Sequence, residues 1–176
     1  MKSKEDSNHR TLESNTLNEE SESASMITEQ VQQSNFGLKE FPPNSYNKYA
    51  WLIGEPKIAD DVWIGAFTLI DGSGGLSIGK GVNISSGAQL VSHSSARRTV
   101  TARAYPKVDR ASVKIGAHTF IGSNAVILMG STIGKHCVVA AGAVVKEFSV
   151  FPDYSLIAGV PAVRRGDVRS KDEIES

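Results

Sequence analysis

The sequence predicts an all-β fold, a triangular parallel solenoid built from hexapeptides and broken by one long insertion. Three observations predict it. Aliphatic residues recur every sixth position at Ile58, Ile64 and Ile70, at Ile78, Ile84 and Leu90, and from Ile115 through Ile121, Ile127, Ile133 and Val139 to Val145. Glycine often follows the aliphatic residue, at Gly65, Gly79, Gly116, Gly122 and Gly134. The fifth place is small or short: Val62, Thr68, Val82, Ala88, Thr119, Ala125, Ser131, Cys137 and Ala143.

A period of six fits short strands that each point one aliphatic side chain inward, with glycine and small residues turning the corners, so that three hexapeptides close one coil. A single coil cannot bury its own inner face, and stacked neighbours supply a continuous apolar column. A helix would show apolar residues at 3.6 spacing and less Gly and Val. A sandwich would place turn signals every 8 to 12 residues.

Around this repeat, residues 1–34 are rich in Ser, Glu and Asn and poor in apolar groups. Such a segment cannot bury enough surface to offset its ordering entropy, and a disordered leader is expected there. The folded domain is expected over 35–167, with a polar tail over 168–176. Two interruptions break the period: two extra residues in DGSGGLS after Ile70, and nineteen between Leu90 and Ile115. A loop of the second length in a compact domain is usually functional.

Composition narrows the function classes. Nineteen basic and nineteen acidic side chains balance, so no global field argues for a nucleic acid or an anionic membrane surface as partner. No apolar run approaches the roughly 20 residues that span a bilayer, and a cytoplasmic location is the simplest expectation. The single cysteine, Cys137, excludes an internal disulfide and a Cys-rich metal site.

The stretches VKIGAHTFIGSNAVILMGSTIGKHCVVAAGAVV and SLIAGVPA resemble the left-handed β-helix acyltransferases, a family that includes galactoside and maltose acetyltransferases and sugar O-acetyltransferases of polysaccharide pathways. The likeness covers about residues 51 to 166. It implies a left-handed coil, a homotrimer, coenzyme A in a groove between coils of neighbouring subunits, and acetyl transfer from acetyl coenzyme A to a saccharide acceptor. Within the class the alternative is N-acetylation of an amino sugar or antibiotic. Outside it stand a γ-carbonic-anhydrase-like metal protein and a non-catalytic solenoid.

His93, at the root of the long insertion, occupies the place of the family's catalytic base. A sugar hydroxyl is a poor nucleophile until its proton is taken as it attacks, and an imidazole suits that task near neutral pH. The resemblance further implies cofactor contacts at Ser123, at the small run Ala140, Ala141 and Gly142, at Lys146, and at Pro161 with Arg164 and Arg165, whose planar forks suit phosphate. The resemblance also implies that Asp71 is an acceptor contact or a partner for the histidine. Arg97 and Arg98 belong to a local excess of positive charge in the insertion, suited to a phosphorylated or nucleotide-linked acceptor. His118 and His136 take the fourth place of their hexapeptides, which points outward. The zinc anhydrases pair two histidines five apart; Ser123 stands at that spacing from His118, so no metal is expected.

Overall fold

The computed structural model describes residues 44–169, all within the second of two units, 1–39 and 40–176, into which the chain divides. The expected leader and most of the expected tail lie outside the described residues. The architecture is the predicted left-handed parallel β-helix with three sheets as its faces.

The first coils run through β1 (Trp51–Ile53), β2 (Lys57–Ile58), β3 (Trp63–Ile64), β4 (Leu69–Asp71), β5 (Leu76–Ile78), β6 (Asn83–Ile84) and β7 (Gln89–Leu90). The insertion folds as β8 (His93–Ser94), the one-turn helix α1 (Ala96–Val100) and β9 (Asp109–Arg110). The coils resume with β10 (Val113–Ile115), β11 (Phe120–Ile121), β12 (Val126–Ile127), β13 (Thr132–Ile133), β14 (Val138–Val139), β15 (Val144–Val145) and β16 (Val150–Phe151), and end in β17 (Ser155–Gly159) and β18 (Ala162–Asp167).

One face stacks β1, β4, β7, β12 and β15; the second β2, β5, β10, β13 and β16; the third β3, β6, β11, β14, β17 and β18. We call these the first, second and third faces. Their parallel registers align the rungs directly: Ile70 opposes Leu90, Leu90 opposes Ile127, and Ile127 opposes Val145. Eleven of the twelve predicted rungs are buried, and Ile58, on the first turn of its face, packs against the core partly exposed. The column extends at the same period to Leu52 at one end and to Phe151 and Ile157 at the other.

The corners are built differently from expectation. The third residue after a rung takes the left-handed conformation at Asp61, Phe67, His118, Asn124, His136, Phe148 and Tyr154 as well as at glycines. Corner turning is therefore not reserved for small residues. The glycines directly after a rung answer another need: a Cβ at Gly122 would sit 2.5 Å from the Ala141 amide of the next coil. Close stacking, not torsional freedom, selects glycine there.

At the corner between the second and third faces the outward-pointing fourth residues form a ladder. His118 and His136 stack with ring centroids 5.2 Å apart, His136 and Tyr154 5.0 Å apart, and the Arg169 guanidinium lies 4.3 Å above the Tyr154 ring. Cys137 points inward and is buried, and burial pushes its thiol pKa up. No described helix is long and apolar enough to cross a membrane.

Candidate active site

Both interruptions of the repeat fall at one corner, between the first and second faces. β4 delivers Asp71 to it and the chain leaving β7 delivers Ser92 and His93. The insertion is pinned at its root, because β8 pairs antiparallel with β9, His93 opposite Arg110 and Ser94 opposite Asp109. Farther out, Tyr105 donates its hydroxyl to Asp109 at 2.9 Å and carries the Arg97 guanidinium 3.5 Å above its ring. These contacts turn a long connection into a small folded unit.

Asp71 is 1% exposed, an expensive place for a carboxylate unless donors surround it. They do. The Ser73 amide donates to Oδ1 at 2.9 Å; the Ser92 amide and hydroxyl donate to Oδ2 at 3.1 and 3.3 Å; and Nδ1 of His93 lies 2.6 Å from Oδ2. Burial by itself would raise the Asp71 carboxyl, but the hydrogen bonds from Ser73, His93 and Ser92 outweigh it and hold the pKa at about 2. The group stays ionised at neutral pH and accepts the Nδ1 proton of His93. In the tautomer that donates from Nδ1, Nε2 carries the free lone pair.

The His93 side chain is 41% exposed while Asp71 is shut away, so the dyad presents its basic end to solvent and its acidic end to the protein. Ser92 has a second role: its Oγ accepts the Gly74 amide at 2.8 Å, tying the short bulge to the insertion. Ser73 and Ser92 were not singled out by sequence reasoning. The serine immediately before His93 was visible, but its bond to a residue 21 positions earlier was not.

The other predicted positions gather elsewhere. Ser123, Ala140, Ala141 and Gly142 lie together at the corner between the third and first faces, where the Gly142 amide donates to the Ser123 carbonyl at 2.9 Å. A Cβ at Gly142 would meet no heavy atom within 4 Å. Lys146 is exposed beyond β15, toward the corner of Asp71 and His93. Pro161 sits in the turn between β17 and β18. On β18, Arg164 is held by the Ser155 hydroxyl at 3.1 Å and by Asp167 at 3.2 Å, whereas Arg165 is exposed. Arg97 is engaged by Tyr105, and Arg98 lines a cleft with Arg103. Within one chain the structure brings Asp71 to His93 and Ser123 to Gly142, and puts the two pairs on different corners. Among the described residues no three His, Cys, Asp or Glu side chains gather as a metal-binding group.

Comparison with known proteins agrees with this architecture. Residues 112–147 match the bacterial transferase hexapeptide family (six repeats). A protein of Mycobacterium tuberculosis named as a probable acetyltransferase is 46% identical over 50 residues, a stretch that is 28% of this chain and 16% of that protein. Among solved structures, AntD, an N-acyltransferase from Bacillus cereus in complex with dTDP and 3-hydroxybutyryl-CoA, superposes with a TM-score of 0.61 at 25% identity, covering 74% of this chain and 71% of that one. A hexapeptide-repeat-containing acetyltransferase from Vibrio cholerae gives 0.51 at 25% identity, covering 69% and 72%. A maltose O-acetyltransferase from Clostridium difficile shares the fold, with a TM-score of 0.50 at 19% identity, covering 69% and 67%.

Proposed function

This chain carries the bacterial transferase hexapeptide repeat on a left-handed β-helix, and from that premise we propose that it is an acyl-CoA-dependent acyltransferase that O-acetylates a saccharide acceptor with His93 as general base. The observation that carries the reading is the 2.6 Å contact between His93 Nδ1 and the buried Asp71 carboxylate. It orients the ring, fixes the tautomer and stabilises the imidazolium formed when Nε2 takes a proton. Of the two roles open to Asp71, this geometry supports partner to the histidine.

In the proposed reaction Nε2 accepts the proton of an acceptor hydroxyl as that oxygen attacks the thioester carbonyl. The new C–O bond forms, the C–S bond breaks, and the leaving thiolate receives the proton as free coenzyme A thiol. Ser123, Ala140, Ala141, Gly142, Lys146, Pro161, Arg164 and Arg165 are the proposed cofactor contacts, and the coenzyme A complexes of the Bacillus cereus protein support a coenzyme A donor.

A homotrimer fits the surface. The outward column of the third face carries Trp63, Asn83, Phe120, Val138 and Leu156, and that of the first face Trp51, Leu69, Gln89, Val126 and Val144, while the second face shows Lys57, Ser77, Lys114, Thr132 and Val150. Two mostly apolar faces, each with one amide residue, and a mostly polar one suit packing around an axis with one face to solvent.

A second reading, N-acylation of an amino sugar, is favoured by the likeness to the Bacillus cereus N-acyltransferase. One experiment separates them: an acceptor screen with acetyl coenzyme A that follows thiol release, then treats the product with hydroxylamine. O-acetylation expects a hydroxylamine-labile product; a resistant product shows the amide. Absence of thiol release with every acceptor, together with no rise in melting temperature on adding coenzyme A, sinks both readings.

A further inference from the structure

Around α1 the insertion encloses an open cleft of about 390 Å³ lined by Ser95, Arg98, Thr99, Ala102 and Arg103. The lining holds two guanidinium groups and two hydroxyls, and no carboxylate. Among the described residues the ion pairs are His93–Asp71, Arg164–Asp167 and Arg169–Asp167, and none reaches Arg98 or Arg103. The insertion's own acid, Asp109, is taken by Tyr105, and the neighbouring Arg97 is taken by the ring of that tyrosine. Two like charges thus share one concavity without a counter-charge, an arrangement that repels itself until an anion arrives.

The backbone is bent to achieve this. Ala102 and Arg103 are consecutive non-glycine residues with φ of 48° and 68°, a region costly for residues carrying a Cβ. The bend is closed by the Arg103 amide, which donates to the Arg98 carbonyl at 2.9 Å and so returns Arg103 to the turn that carries Arg98. Arg98 is itself partly sunk: its Nε is shielded from solvent without an acceptor. An oxyanion against the outer donors of the same delocalised head offsets that cost, and the planar fork of arginine fits phosphate through paired N–H donors.

We propose that this cleft binds a phosphate-type anion carried by the acyl acceptor, so that the acceptor is a phosphorylated or diphosphate-linked molecule held by Arg98 and Arg103 beside the base. The assignment of the anion to the acceptor rests on the acyltransferase reading. It follows from chain position: the cleft begins at Ser95, two residues after His93, whereas the proposed cofactor contacts cluster on another corner and on β18.

Inorganic pyrophosphate is the probe, titrated calorimetrically into the full chain. Saturable binding is expected, weakened at least tenfold by Arg103→Gln and by Arg98→Gln and changed less than twofold by Lys107→Gln, which removes the same charge from an exposed place outside the cleft. Arg103 is exposed, so its variant keeps the test open if Arg98→Gln folds poorly. Binding is expected to persist in protein saturated with coenzyme A. Pyrophosphate is also expected to inhibit acetyl transfer by the unsubstituted chain and to inhibit the Arg103→Gln variant at least tenfold more weakly. The inference is overturned by absence of saturable binding, by equal loss in Lys107→Gln, by loss of binding under saturating coenzyme A, which would make this the donor's phosphate site, or by binding that leaves turnover untouched. Pyrophosphate binding without any coenzyme A binding would leave the anion cleft standing and remove the acyltransferase reading and the acceptor assignment. Coenzyme A turnover without pyrophosphate binding would remove the cleft alone.

Discussion

Nδ1 of His93 and Oδ2 of Asp71 lie 2.6 Å apart, and the carboxylate decides which ring nitrogen holds the proton. In Asp71→Asn the amide can donate to Nδ1, which moves the ring proton to Nε2 and leaves no basic nitrogen facing the acceptor. Turnover should fall by roughly a hundred- to ten-thousand-fold, with a similar loss in His93→Asn, while coenzyme A affinity stays within a few-fold. The double variant should be little worse than either single one, since the two act as a unit. Additive losses measured by thiol release would show that Asp71 and His93 work separately.

The same carboxylate couples the site to acid stability. Its folded pKa, about 2, lies below its ordinary value of 3.8, so its contribution is fully present above that ordinary value and is lost as pH falls toward 2. Asp167, lowered to about 2 chiefly by the hydrogen bonds of Arg169, behaves in the same sense. Denaturant melts at pH 5, 3.5 and 2.5 should show a smaller acid loss in Asp71→Asn than in the unsubstituted chain. Parallel curves would count against the proposed role of the Ser73 and Ser92 donors in keeping Asp71 ionised.

Inside and outside should separate sharply between Ile127 and Ser123. Ile127 is wholly buried in the column, where a carboxylate finds no partner, whereas Ser123 is exposed. Ile127→Asp should abolish soluble folding or cost more than about 4 kcal/mol. Ser123→Asp should melt close to the unsubstituted chain and weaken coenzyme A binding. Equal melting of the two would contradict the rung assignment.

Stacking distance sets a third limit. A Cβ at Gly79 would stand 2.6 Å from the Ala117 amide and 2.8 Å from its Cα, both backbone atoms that no rotamer change can move. Gly79→Ala should cost about 1 to 3 kcal/mol, the usual range for overpacking. An unchanged melting temperature would mean that the coils can part more easily than their ladders suggest.

The column was legible because every rung repeats one physical demand at one spacing, and the structure only lengthened it to Leu52, Phe151 and Ile157. Phe151 stands outside the aliphatic run because it is aromatic, although it keeps the six-residue spacing and is buried at 8% exposure. The corner between Ser92 and Asp71 was hidden for a different reason: periodicity reports which residues point inward, not which loops meet. Nor does period six separate a glycine required by a tight neighbour from one required by its own torsion. That distinction needs the next coil, eighteen or more residues away.

β17 continues the parallel third face on β14, but β18 folds back against it antiparallel, from Ser155 opposite Asp167 to Gly159 opposite Ala162. A parallel stack whose last rung lay bare would be a template for the first rung of another molecule, and fibres could grow by simple addition. Reversing the final strand spoils that template on one face and lines the new rim with the charges of Arg164 and Arg165. For this face the hairpin therefore acts as a chain terminator in the polymer sense, because the edge it leaves is antiparallel to the repeat and does not match the parallel edge another coil would extend.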